Sequence, residues 1–287
     1  MIYVSNFGNQ SVTVYAPAAR GNCAPVRRIA GPRTALAGPL GIAVDVRNNL
    51  YVANRANATV TVYGPTADGD VVPVRTLRAP GNADVLAVAI GSDGGVFVAT
   101  CARRAGGGAT AVVHYPAAAD ESDYSIAGPR TGLTCPVGLA VDPGGTLFVA
   151  NAFGGVVSAF AAGAAGNAAP LWSFTAATSS TRSIACRAGA LLLTGPGIYL
   201  YPSAATSSTR PAAVFGSSPS LPLRHASGGA IDGHATAPTL YVADYTAHAL
   251  HVIRTAGVPP NLSVAEPSVI EGAATGLDRP VGVLCTP

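Results

Sequence analysis

A short pattern returns along the whole chain. It reads Tyr3-Val4-Ser5-Asn6, Tyr51-Val52-Ala53-Asn54, Phe148-Val149-Ala150-Asn151 and Tyr241-Val242-Ala243-Asp244. Phe97-Val98-Ala99-Thr100 is a worn fifth copy, and Leu191-Leu192-Leu193-Thr194 is a sixth. Successive copies start 48, 46, 51, 43 and 50 residues apart. Self-similarity at this period means an array of one supersecondary unit, each burying its apolar faces against its neighbours.

Every unit supplies more strand-like segments in a fixed order. An apolar segment precedes the pattern, as in Gly41-Ile42-Ala43-Val44-Asp45 and Gly138-Leu139-Ala140-Val141-Asp142. An alternating, β-branched segment follows, as in Val12-Thr13-Val14-Tyr15 and Val60-Thr61-Val62-Tyr63. A fourth segment opens on proline at Pro25, Pro73, Pro170 and Pro211, as the first residue of a strand permits. The link between units recurs too. Thr34, Leu36, Pro39 and Gly41 match Thr131, Leu133, Pro136 and Gly138, then Thr275, Leu277, Pro280 and Gly282. Four strands in about 48 residues is the size of a propeller blade.

The two ends complete each other. Arg279–Cys285 reads as a first strand without followers, and Met1–Asn6 as a second strand without a leader. Pairing them closes a ring and removes its open edges. The expected fold is all-β: a six-bladed β-propeller of four-stranded antiparallel blades, closed by pairing the C-terminal strand with the N-terminal blade strands. Residues 1–287 form one such domain. A second repeat, Ala176–Arg182 against Ala204–Arg210, lies 28 residues apart and reads as loop filler.

The run Pro-x-Gly-(Ile/Leu)-Ala-Val-Asp…(Tyr/Phe)-Val-Ala-Asn…Val-Thr-Val-Tyr resembles the NHL-repeat propellers and, more loosely, the YVTN-type bacterial propellers. The resemblance covers essentially the whole chain. It implies the fold firmly and an activity hardly at all, because such propellers include sugar lactonases, strictosidine-synthase-like enzymes and non-catalytic binding domains. It also implies export, with the signal peptide absent from this chain: Met1 leads straight into Ile2-Tyr3-Val4.

Repeated polar residues suit scaffold roles. Asp45 and Asp142 end first strands just before turns, where a carboxylate bonds backbone N–H groups. Asn6, Asn54, Asn151 and Asp244 sit where the second strand enters its next loop. The other reading makes these four binding residues at the channel mouth. Tyr15, Tyr63, Tyr115 and Tyr201 are expected to pack between blades, their hydroxyls reaching the edge.

Function is sought where the blades stop repeating. Loops from the fourth strand to the next first strand share a face with those joining second and third strands. Counting back from the ends of the first strands gives Gly38, Asp84, Cys135, Ser179, His225 and Arg279 as a ring around the mouth. In a catalytic reading, His225 is a general base, Ser179 or Cys135 the nucleophile, and Arg279 an oxyanion partner. In the alternative, these residues line a wet channel. No G-x-S-x-G, H-E-x-x-H or kinase-type signature is present.

Four histidines, His225, His234, His248 and His251, lie close in sequence but along different stretches of strand, so they read as scattered surface residues. The lactonase resemblance implies one divalent metal in the mouth, with Asn54, Asn151 and Asp244 as ligands. It also implies a glutamate that Glu121, Glu266 and Glu271, near outer strands, do not supply. The five cysteines lack a C-x-x-C. Cys101 and Cys135, on one face of adjacent blades, are expected to form a disulfide; Cys186 and Cys285 are expected as small buried residues. Cys23 falls in an outer loop.

Charge argues against several partners. Charged residues are 11% of the chain, with net charge +3, all the basic residues being Arg. The doublets Arg27-Arg28 and Arg103-Arg104 are too sparse for nucleic acid. No apolar run is long enough for a membrane span. The expected function is a non-catalytic binding or scaffold propeller that offers its mouth or blade edges to a protein, a glycan or copies of itself, without a cofactor. The alternative is a metal-dependent, lactonase-like hydrolase or a lyase acting at the mouth.

Overall fold

The computed structural model describes residues 1–103, 108–187, 189–205, 209–232, 238–256 and 263–286. They form six four-stranded antiparallel sheets. The second blade, Pro39–Val44, Leu50–Asn54, Thr59–Tyr63 and Arg75–Arg78, sets the pattern. The first strands pack side by side in ring order, from Pro280–Cys285 through Pro39–Val44, Asp84–Ile90, Pro136–Val141, Ser183–Arg187 and Ala226–Asp232, then back to Pro280–Cys285. They line the axis, and the chain is a six-bladed β-propeller.

The ring closes as the two ends suggest. Ile2 pairs with Cys285, Tyr3 with Leu284 and Val4 with Val283, so one blade takes its innermost strand from the C-terminal end. The Met1 amino group donates to the Thr286 carbonyl at 3.0 Å beside that seam.

The core is six apolar clusters, each between two neighbouring blades. Tyr51, Val60 and Val62 of the second blade meet Val85, Val96 and Tyr115 of the third. Ile2, Val4 and Tyr15 of the seam blade meet Tyr241, Leu250 and Val252 of the sixth. Both faces of a blade are therefore covered, which is why second strands such as Leu50–Asn54 are buried at every position. A buried side chain of this size contributes roughly 1.5–3 kcal/mol of transfer free energy.

The recurrent Pro-x-Gly has a steric cause. A Cβ on Gly41 would stand 2.7 Å from the Ala87 Cα, and one on Gly138 2.7 Å from the Ile184 backbone nitrogen. First strands converge on the axis, so only glycine lets their backbones approach. Beside it the ladder slips, between Pro39 and Ile42 and between Pro136 and Gly138. Such bulges bend the strand at its start. One boundary differs from expectation. Fourth strands begin two residues after their proline, at Arg27, Arg75, Trp172 and Ala213, because proline has no N–H for the ladder.

Candidate functional site

The repeated polar residues are built into the walls. The Asn54 side chain donates to the Val52 carbonyl at 3.1 Å and to the Thr61 hydroxyl at 3.0 Å, and it accepts from the Ala37 N–H at 3.1 Å. Asn6 donates to the Thr13 hydroxyl and accepts from the Asp278 N–H, and Asn151 accepts from the Thr134 N–H. Asp244 accepts from the N–H groups of Arg224, His225, Thr246 and Ala247. All four side chains are fully buried. They tie the loop entering a blade to its second strand, and they do not line the channel. The reading of Asn6, Asn54, Asn151 and Asp244 as mouth binders is corrected accordingly.

The same bonds bear on a metal. The Asn54, Asn151 and Asp244 oxygens are taken by backbone N–H groups, so this set does not fit a divalent ion. Among the described residues no group of three or more His, Cys, Asp or Glu side chains is placed to hold one.

Tyrosines latch the blades. Tyr15 donates its hydroxyl to the Thr275 carbonyl, Tyr63 to that of Thr34 and Tyr115 to that of Arg78. Each acceptor belongs to the neighbouring blade's outer strand or the link that follows it. Burial pushes the Tyr15, Tyr63 and Tyr115 hydroxyls up to about 12.

The channel opens at one end into a cavity of about 560 Å³. Its lower wall is backbone and aliphatic side chains from the converging first strands, including Ile42, Leu86, Leu139 and Val283. Its rim carries Phe7, Phe153 and Tyr245, with Arg55, Arg182 and His225. Phe153 is 66% exposed.

The proposed ring residues fall out differently. The backbone carbonyls of Gly38, Cys135, His225 and Arg279 accept from the N–H of Arg55, Ala152, Tyr245 and Phe7, so these four are equivalent. His225 lines the cavity, its ring 5.5 Å from that of Tyr245. Arg279 is exposed and does not line it, so it has no oxyanion to face. Cys135 is joined to Cys101 with a Cα–Cα distance of 5.1 Å, and a disulfide sulfur is no thiolate nucleophile. Asp84 accepts a hydrogen bond from Arg55 at 3.0 Å and is ion-paired with Arg103 at 2.7 Å. Arg104 lies outside the described residues.

In the fifth blade the register moves. Ser183 pairs with Thr194 without a bulge, so the ring position belongs to Arg182 rather than Ser179. Ser179 still lines the cavity, as do Ser180, Thr181 and Arg182. The first copy of the short repeat is thus mouth wall rather than filler.

Arg182 acts on His225. Burial lowers the His225 pKa, and the Arg182 charge lowers it further, so the imidazole is neutral at pH 7. Among the histidines expected at the surface, His251 is buried and His248 lies 3.2 Å from Asp278. His234 falls outside the described residues. Cys285 is buried as expected, whereas Cys186 and Cys23 are partly exposed.

Residues 36–63, the link and first three strands of the second blade, match the model of the NHL repeat. The chain carries an NHL repeat. No curated protein sequence matches it. Solved propellers share the fold. A streptogramin B lyase structure has 13% identity and a TM-score of 0.57, with 98% of this chain and 76% of that chain covered. Virginiamycin B lyase from Staphylococcus aureus has 15% identity and a TM-score of 0.55, with 85% of this chain and 73% of that chain covered. A catalytically inactive form of that enzyme with quinupristin has 16% identity and a TM-score of 0.54, with 85% and 73% covered.

The NHL repeat explains which mouth residues sequence reasoning missed. Its Asn54 is scaffold, and the residue that follows it, Arg55, rises to the rim. Phe7 and Tyr245 follow Asn6 and Asp244 in the same way, and Phe153 lies two residues after Asn151. The signal was the variation just after a recurring polar position.

Proposed function

We propose that this propeller is a binding module and that its mouth cavity holds the partner. What carries the reading is a cavity of about 560 Å³ with an aliphatic lower wall and an aromatic rim, while most of the polar candidates near it are committed to the scaffold. Cavities of this size bury a drug-sized ligand or a partner's side chains. Asn54, Asn151 and Asp244 are committed to backbone, Cys135 to a disulfide, and Asp84 to two guanidinium groups. The aliphatic wall and aromatic rim favour a ligand with an apolar body. The Cys101–Cys135 bridge supports export to an oxidising compartment.

A lyase acting at the same mouth is the second reading. It is favoured by the neutral His225, which is able to accept a proton, and by the activity named for the similar propellers.

Fluorescence titration with pyrenebutanol tests the first reading. Saturable binding that is lost in Phe153→Asp and kept in Val74→Asp, a charge placed on an outer edge, is expected. Absence of binding, or equal loss in both variants, overturns it. Turnover of a lactone or cyclic peptide that disappears in His225→Ala decides for the second.

A further inference from the structure

We infer that the mouth cavity is selective for a carboxylate carried on an apolar body, with the Arg182 guanidinium as its anion partner. The inference rests on the binding reading above and names the ligand class of that site.

The charges around the cavity differ in kind. Among the described residues no Asp or Glu lines it. Arg55 is already paired with Asp84, and Asp84 also takes Arg103. Arg182 also lines the cavity, and among the described residues no acceptor is bonded to its guanidinium. The neighbouring His225 is a ring nitrogen donor or acceptor without charge at pH 7. The rim therefore presents one uncommitted planar fork beside aromatic faces, above a wall of Ile42, Leu139 and Val283.

Chemistry narrows the occupant. A guanidinium matches a carboxylate bidentately, with two parallel N–H···O bonds. The aliphatic wall rewards removal of apolar surface from water, and it offers a highly hydrated anion such as free phosphate nothing in exchange. A cationic ligand would meet Arg182 and the excess positive charge of the Arg55–Asp84–Arg103 cluster. One carboxylate on an apolar skeleton satisfies both the fork and the wall.

The test compares pyrenebutyrate with pyrenebutanol, which have the same ring system and differ at the terminal group. In the intact protein at pH 7, pyrenebutyrate is expected to bind about tenfold tighter, the worth of one charge-assisted hydrogen-bonded contact. Arg182→Gln should close that gap, and Arg182→Lys should keep part of it as a point charge. Equal affinities in the unsubstituted protein overturn the carboxylate inference while leaving the cavity a binding site. Binding of neither probe overturns the binding reading and this inference with it. A gap that survives Arg182→Gln assigns the selectivity to another cation and overturns the role given to Arg182.

Discussion

His251 lies against Asp244 in the sixth blade, its Nε2 3.7 Å from the carboxylate, where Thr61 bonds Asn54 in the second. Both residues are buried. One blade has exchanged an amide–hydroxyl pair for a carboxylate–imidazole pair at matching positions, since His251 pairs with Val242 as Thr61 pairs with Val52.

That exchange makes the sixth blade acid-sensitive. Burial would raise the Asp244 carboxyl. The His251 contact and the N–H groups of Arg224, Ala247 and His225 outweigh it and hold the carboxyl far below the usual range. A carboxyl depressed in the folded state contributes stability above its unfolded pKa of about 4, and the contribution is lost as pH falls below that value. Denaturation midpoints should therefore drop below about pH 4. Asp244→Asn should cost about 1–3 kcal/mol at pH 7 and flatten the acid limb. The double variant Asp244→Asn with His251→Thr, which rebuilds the second blade's pair, should recover part of that loss. An additive double variant would contradict the coupling.

His225 should titrate with a midpoint below 6.5, followed by NMR of its ring protons. Arg182→Gln should move the midpoint up, because a neighbouring positive charge is gone. Its folded pKa is depressed, so the unfolded chain takes up the proton first, and this residue removes stability as pH falls through about 6.5. A midpoint unaffected by Arg182→Gln would separate the two side chains.

The tyrosine latch predicts a matched pair of variants. Tyr63→Phe leaves the Thr34 carbonyl without its donor and should cost about 1 kcal/mol. In the fourth blade Phe160 pairs with Leu147 as Tyr63 pairs with Leu50. Phe160→Tyr should supply the missing hydroxyl and raise stability by up to about 1 kcal/mol. Urea denaturation of both reads the result, and a destabilised Phe160→Tyr would refute the equivalence.

The cysteine bridge should matter for stability as well. Cys101 and Cys135 are 34 residues apart. In the chain-entropy account, closing such a loop is worth about 3–4 kcal/mol. Reduction, or the Cys101→Ala and Cys135→Ala double variant, should lower the denaturant midpoint accordingly.

How much of this was legible in the sequence follows from what repeats. Pro39, Gly41, Asn54, Thr61 and Tyr63 serve backbone geometry that most blades repeat, so recurrence exposed strand order, ring closure and the scaffold. The mouth is what does not recur. Arg55, Phe153 and Tyr245 follow no shared sequence pattern, and only the ring brings them to one rim. The Arg182 position was hidden by a missing bulge, which no local pattern announces. His251 read as a surface residue because its partner, Asp244, occupied an asparagine position.

Crystallography of the protein with pyrenebutyrate reads out whether the channel mouth is the binding site. Density is expected for the pyrene against the aliphatic wall near Ile42, Leu139 and Val283, with the carboxylate on Arg182. Density on the outer blade edges with an empty mouth would contradict it.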